Sequence, residues 1–323
     1  MRLGFLTHVH GDEPAGALFA GVVELFVAAE ELGYDTGWVA QHHLQPRYGR
    51  LPSPLVLLAA VAERTHRIRL GTAVSVLPLE DPLRLAEDVA VLDALSGGRL
   101  ELGLGSGGPS AAEFAAFGAV AADRRADYDR ALPRLVNALA GRPLPGSGGL
   151  VLQPSSDRAG RRLWESSTRV DTVAAGAAAG RGLLLGVGPH DLVQRELAET
   201  HRAHWRGTGP APIAAVRGIF PDRDRRAARE RLAPDIARYL PHHVAAGWAR
   251  EDTSIEELLA LMNVQYGTPD DIVEGLAADA VFRPHATDLI AAVQAESTSL
   301  AEARRGLEVL ATEIAPRLGR VAA

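Results

Sequence analysis

The sequence contains no cysteine and no lysine. Without a thiol there can be no thiolate nucleophile, iron–sulfur cluster, cysteine zinc site or disulfide. Without a lysine amine there is no Schiff base, hence no ordinary pyridoxal phosphate catalysis, and no Walker A lysine. All 34 basic residues are arginine. A GC-rich genome accounts for that bias, and the exclusions hold whatever its origin. No apolar run reaches the roughly 18 residues that a membrane span needs. The opening Met1-Arg2-Leu3-Gly4-Phe5-Leu6-Thr7 turns polar too soon for a signal peptide, so the expected location is cytoplasmic. A net charge of −6 disfavours nucleic acid as the main partner, because phosphate binding needs a basic stripe.

What the sequence does contain is a long alternation of short apolar runs and amphipathic stretches. Its 323 residues, 47% of them hydrophobic, are enough for a substantial core. Strands are expected at 2–7, 36–40, 68–76, 100–105, 162–166, 183–187, 213–220 and 288–293. Helices are expected at 18–32, from Ser53-Pro54 onward, from Asp81-Pro82 to Ser96, and at 126–140, 170–180, 191–205, 225–245 and 300–314. Thr268-Pro269-Asp270-Asp271 opens one more before the last strand. Eight strand–helix units predict an α/β fold, a (β/α)₈ TIM barrel with insertions, forming one domain over 1–323. A doubly wound open sheet is the rival, and periodicity alone does not separate the two. The irregular stretches 141–160 and 241–267 read as excursions within the alternation. Val22, Leu25, Phe26 and Ala29 on the first helix, with Leu85, Val89 and Leu92 on the third, are more apolar than one covering face requires. They predict a homodimer, unless all of them face the barrel.

Three segments can carry chemistry. His42 and His43 follow the second strand, where barrel active sites form, and histidine exchanges protons near neutral pH. Two surface histidines without a role would read the same. His8, His10, His42 and His43 could also meet around a metal, but no carboxylate at ligand spacing supports this, and no metal is expected. Gly71-Thr72-Ala73-Val74 places small residues at a strand end, where a flat ligand could approach the backbone or a barrel corner could pack tightly. Gly103-Leu104-Gly105-Ser106-Gly107-Gly108 could cradle a phosphate with backbone N–H groups. It formally matches a dinucleotide fingerprint but follows three complete units, whereas the fingerprint usually occupies a first βα turn.

Taken together, several motifs in order resemble the luciferase-like monooxygenase family. They are His42-His43, the run Arg67-Ile68-Arg69-Leu70-Gly71-Thr72-Ala73-Val74, and Leu77-Pro78-Leu79-Glu80-Asp81-Pro82. Leu92-Asp93 with Leu95-Ser96-Gly97-Gly98-Arg99, then Phe114 with Phe117-Gly118, and finally Tyr266-Gly267-Thr268-Pro269 complete the set. The resemblance covers most of the chain and is weakest at 141–160 and 241–265. It implies a TIM barrel, often dimeric, that uses FMN or, as the weaker expectation, the deazaflavin F420. His42 matches the catalytic histidine. The glutamate that precedes it in the luciferases is Gln41 here, and a neutral amide cannot raise the histidine's pKa as a carboxylate would.

The resemblance also assigns a cofactor site. Ala73 and Val74 match a bulge that lies against the flavin ring, sometimes with a non-proline cis peptide. Arg125 and Ser166 match groups that hold the flavin phosphate, with Glu165 preceding the serine. Ser106 stands where a family arginine is replaced, beside Gly107, and Gly105 lies near the place of the luciferases' reactive cysteine. The implied function is FMN-dependent oxygenation of a small organic substrate by reduced flavin and O₂. The reduced FMN would come from a separate flavin reductase or from loosely bound NAD(P)H. The alternatives are an F420- or FMN-dependent oxidoreductase that transfers hydride, and a flavin-binding protein without catalysis.

Overall fold

The computed structural model describes residues 1–108, 110–187 and 191–319. Ten strands form one parallel sheet: β1 (Arg2–Thr7), β2 (Thr36–Val39), β3 (Arg69–Thr72), β4 (Ser75–Val76), β5 (Leu100–Gly105), β6 (Leu163–Ser166), β7 (Gly182–Leu185), β8 (Ile213–Pro221), β9 (Val264–Gly267) and β10 (Asp288–Ala292). β10 pairs with both β1 and β8, which closes the sheet into a barrel of eight staves, β4 continuing the stave that β3 begins. This settles the choice between barrel and open sheet in favour of the barrel.

Alternation along each strand sorts side chains into two environments. Leu6, Trp38, Trp164, Leu184, Val216 and Ile290 point inward and pack on one another. Leu3, Phe5, Val39, Leu70 and Leu102 point outward against the helices. Trp38 and Trp164 cross edge-to-face at 5.8 Å and plug the barrel. Each indole lies over a glycine of a neighbouring strand. A Cβ on Gly71 would strike the Trp38 ring, and one on Gly182 would come within 2.5 Å of Trp164. Below the indoles, Arg2 pairs with Asp288 at 2.7 Å and Glu101 accepts from Trp164 Nε1 at 2.7 Å, with Arg69 also on Glu101. The N-terminal end of the barrel is therefore closed by an ionic layer under an aromatic one. That leaves the C-terminal end as the candidate ligand site.

Four expectations need correction. Val22, Leu25, Phe26, Ala29, Leu85, Val89 and Leu92 are all buried inside the single chain, so they cover the barrel and leave nothing for a partner. The stretch at 241–267 contains the helix Ile255–Leu261 and the strand β9, which extends the sheet along the second half of β8. Its four residues alternate with polar Gln265, too short a pattern to signal a strand. Residues 225–245 form two helices, Arg225–Ala237 and Leu240–Ala245, broken just before Pro241. After β5 a short helix, Ala111–Ala116, forms where no helix was expected. Ser110 caps it, and Pro109 lies outside the described residues.

Candidate active site at the barrel mouth

At the end of β1 the chain turns sharply. Val9 takes a left-handed φ of +59° and donates its N–H to Thr7 Oγ1 at 3.0 Å. Gln294, just past β10, bonds Thr7 Oγ1 and donates to the His10 carbonyl at 3.2 Å. This bracing brings His8 to the mouth, where its Nδ1 lies 3.1 Å from His42 Nε2. The ring centroids of His8 and His42 lie 5.4 Å apart with the planes 28° from parallel, and those of His8 and His10 lie 5.8 Å apart. His42 also stacks on Tyr48 at 6.4 Å.

Burial drives the titration of this cluster. It pushes His42 down to about 3, with the neighbouring His8, His43 and Arg238 adding to the shift. His8 falls to about 3 for the same reason, helped by His10 and Arg238. His10 falls to about 4. All three are neutral imidazoles at physiological pH. His43 turns the other way, packing edge-to-face on Phe117 at 4.7 Å. Three of the four histidines considered for a metal do converge, yet among the described residues no group of histidine and carboxylate side chains is arranged to hold one.

Gln41 does not serve His42. Its Oε1 accepts from the Val76 N–H at 2.6 Å, and its Nε2 donates to Glu80 at 2.8 Å and to the Pro52 carbonyl at 3.0 Å. It clamps the segment that follows β3, where the bond between Ala73 and Val74 is cis. Val74 leans into the space beside β5, so that a Cβ on Gly105 would sit 2.6 Å from Val74 Cγ2. Ser75, buried next to it, has no hydrogen-bond partner for its hydroxyl among the described residues.

Gly105 and Ser166 are register partners in the β5–β6 pair, so the loops carrying Ser106 and Gly107 leave the barrel beside Ser166. Ser106, Gly107 and Ser166 are half-buried. Arg125 is exposed in the first turn of the helix Arg124–Leu139 and has no ion pair among the described residues. Glu165 is separate from these groups. It follows inward-facing Trp164 and so points into the helix layer, where it accepts from Tyr128 Oη at 2.7 Å and Arg181 Nε at 2.5 Å.

Sequence reasoning passed over the group that covers the histidines. Arg238 lies 5.7 Å from the Tyr48 ring and 4.8 Å from the Tyr239 ring, pairs with Glu296, and donates to the Arg47 carbonyl at 2.6 Å. One side chain thus joins the loops after β2, β8 and β10. No local pattern marks an arginine that acts across 191 positions of chain.

A family model described as luciferase-like monooxygenase matches residues 1–283. The chain belongs to this family. Among relatives, an uncharacterized protein of Sinorhizobium fredii is 35% identical over 205 residues, 60% of this chain and 59% of that protein. The 4-hydroxyprotoasukamycin monooxygenase of Streptomyces nodosus subsp. asukaensis is 41% identical over 32% of this chain and 28% of its own length. The matched part of the chain therefore spans less than two thirds of the length of either relative. Among solved structures, monooxygenase RslO1 from Streptomyces bottropensis superposes with a TM-score of 0.84 at 21% identity, over 98% of this chain and 100% of its own. The oxygenating constituent of 3,6-diketocamphane monooxygenase from Pseudomonas putida, in complex with FMN, gives 0.78 at 18% identity, over 98% of each chain. At these identities the structures establish the luciferase-like barrel fold. Among the described residues no helix is long and apolar enough to cross a membrane.

Proposed function

We propose that this chain is an FMN-dependent monooxygenase that uses reduced flavin and O₂ to oxygenate a small organic substrate. The observation that carries the reading is the arrangement of one mouth: the Ala73–Val74 bulge against Gly105 on one side, and the neutral His42 two residues beyond Ala40 on the other. Family membership supports it. The residues present fit FMN. Ala73 and Val74 offer an apolar, partly buried wall. The unsatisfied Ser75 hydroxyl lies beside that wall. Ser106, Gly107 and Ser166 supply small polar groups at adjoining strand ends, and Arg125 brings a free guanidinium for the phosphate. Glu165 has a supporting part, tying the end of β6 to Tyr128 and Arg181 so that Ser166 is held in place.

Reduced FMN, when bound, supplies the electrons for O₂ activation. Everything else falls to the protein. The Trp38–Trp164 plug excludes water from below, and the Tyr48–Arg238–Tyr239 stack with Glu296 covers the histidines from above. His42, neutral at rest at physiological pH, offers a ring nitrogen that donates or accepts a proton. Reduced FMN comes from a separate flavin reductase or from loosely bound NAD(P)H.

Absorbance titration with FMN and with F420, followed by O₂ uptake with each reduced cofactor, tests the reading. The expected result is FMN binding with O₂ consumption. F420 binding without O₂ uptake would establish hydride transfer instead, and FMN binding without turnover a carrier protein. His42→Ala should lower product formation about 10²–10⁴-fold with little change in FMN affinity. A wild-type rate in His42→Ala, with loss in His43→Ala, would move the role to His43.

A further inference from the structure

The geometry points to His8 and His42 as one functional unit, a hydrogen-bonded imidazole pair that carries a proton across the barrel mouth. The inference deepens the oxygenase reading and rests on it for its reaction. Its structural basis is independent of the cofactor. His8 Nδ1 and His42 Nε2 lie 3.1 Å apart, a hydrogen bond in which only one of the two nitrogens can hold the proton.

The two loops that carry them are cross-braced. Arg50 donates its backbone N–H to the Val9 carbonyl at 3.2 Å, and its guanidinium donates to the carbonyls of Gly11 at 2.6 Å and Glu13 at 2.8 Å. His42 donates its backbone N–H to Leu51 at 2.9 Å. Gly49 presses on both partners. A Cβ there would strike the His8 carbonyl and come within 2.6 Å of His42 Cδ2, and its φ of +150° disfavours any other residue. A contact enforced from three sides is a preorganised one.

The shared proton fixes what the pair can do. When His42 Nε2 donates, His42 Nδ1 offers a lone pair and His8 Nε2 an N–H. When His8 Nδ1 donates, these outer roles are exchanged. A proton accepted at one outer nitrogen, one shifted across the 3.1 Å contact, and one released at the other outer nitrogen leave a neutral pair. No charge is created and no bond other than N–H is made or broken. The surroundings favour this neutral route over a charged imidazolium. His10 and Arg238 face the pair, His43 and Tyr48 flank it, Glu113 acts on His43, and Glu296 is already paired with Arg238. His8 acts on the substrate through His42 and is in that sense a positioning residue with a proton to pass.

The test uses the full chain labelled with ¹⁵N-histidine. The expected result is a scalar coupling between His8 Nδ1 and His42 Nε2 across the hydrogen bond, with both rings staying neutral down to about pH 4. Absence of the coupling, or two rings that titrate independently near pH 6.5, would overturn the pair. This arm needs neither a variant nor a cofactor, so lost FMN affinity would count against the oxygenase reading alone. The second arm compares His8→Asn, whose amide can replace Nδ1 in the hydrogen bond, with His8→Leu. His8→Asn should keep the wild-type His42 nitrogen shifts yet release hydrogen peroxide from reduced FMN and O₂ about 10²-fold more slowly, as expected for a lost proton-transfer group. A His8→Asn rate equal to wild type would reduce His8 to an orienting contact and overturn the relay.

Discussion

At the scale of single residues, the site is defined by which groups are charged and which are not. Arg125, which has no ion pair among the described residues, is proposed to hold the flavin phosphate, and it is exposed, so water screens it. Arg125→Ala should weaken FMN by about 1.5 kcal/mol, the low end for a charge-assisted hydrogen bond and roughly tenfold in affinity. Titration calorimetry giving unchanged affinity would remove Arg125 from the site. The histidines make a second prediction, about stability. His8 and His42 have folded pKa values of about 3 and His10 of about 4, all below the ordinary 6.5, and burial lowers His43, His201, His243 and His285 in the same direction. Below pH 6.5 the unfolded chain therefore takes up protons that the folded chain refuses. Stability should be full above that pH and fall as the pH drops from 6.5 toward 4. Thermal midpoints across this range should show the decline, with a shallower slope in His8→Asn. A flat profile would mean that these rings are not neutral in the folded state.

At the scale of elements, the most deeply buried ion pair among the described residues lies outside the site. Arg217 on β8 is 0% exposed. It donates to Asp279, after the helix Pro269–Ala278, at 2.6 and 3.2 Å and to Gln194, on the helix Asp191–His204, at 3.1 Å. Asp279 also accepts from the N–H groups of Val281 and Phe282, and with Arg217 these bonds hold its carboxyl below the usual range. The arrangement ties two helices to the strand that bears both β9 and β10. Asp279→Ala leaves a buried guanidinium unpaired and should cost about 3–5 kcal/mol in urea unfolding. A loss under 1 kcal/mol would show that water reaches Arg217. Individual helices were readable because their signals are local. Asp81 before Pro82 caps its helix as expected, accepting from Leu83 and Arg84. β9 was not readable, because four residues beside the end of β8 are ordered by pairing with a strand more than 40 positions away.

At the scale of the whole molecule, the surface that would bury a second copy differs from the one the apolar pattern suggested. The seven side chains first assigned to it line the barrel exterior. Val56 on the helix Pro54–Arg64 and Val91 and Leu95 on the helix Pro82–Leu95 are the exposed apolar groups of these packed helices. We propose the homodimer through this face. Light scattering at micromolar concentration should give twice the chain mass, and Leu95→Asp should shift it toward one. A monomer in the unsubstituted protein would refute the dimer.

The sequence by itself determined the chemistry that is absent, the strand–helix rhythm, the family, and the positions of His42 and Ala73–Val74. Those features are local: a strand ends, a helix is capped, and a motif occupies consecutive positions. The tertiary structure alone decided which histidine His42 meets, that Gln41 clamps Val76 and Glu80, that Glu165 faces the helices, and that Arg238 covers the mouth. Each of these depends on strand pairing and loop packing, which set residues tens to hundreds of positions apart within hydrogen-bonding distance. Side-chain direction at a strand end follows register and loop bracing, and neither is written in the spacing of residues along one segment.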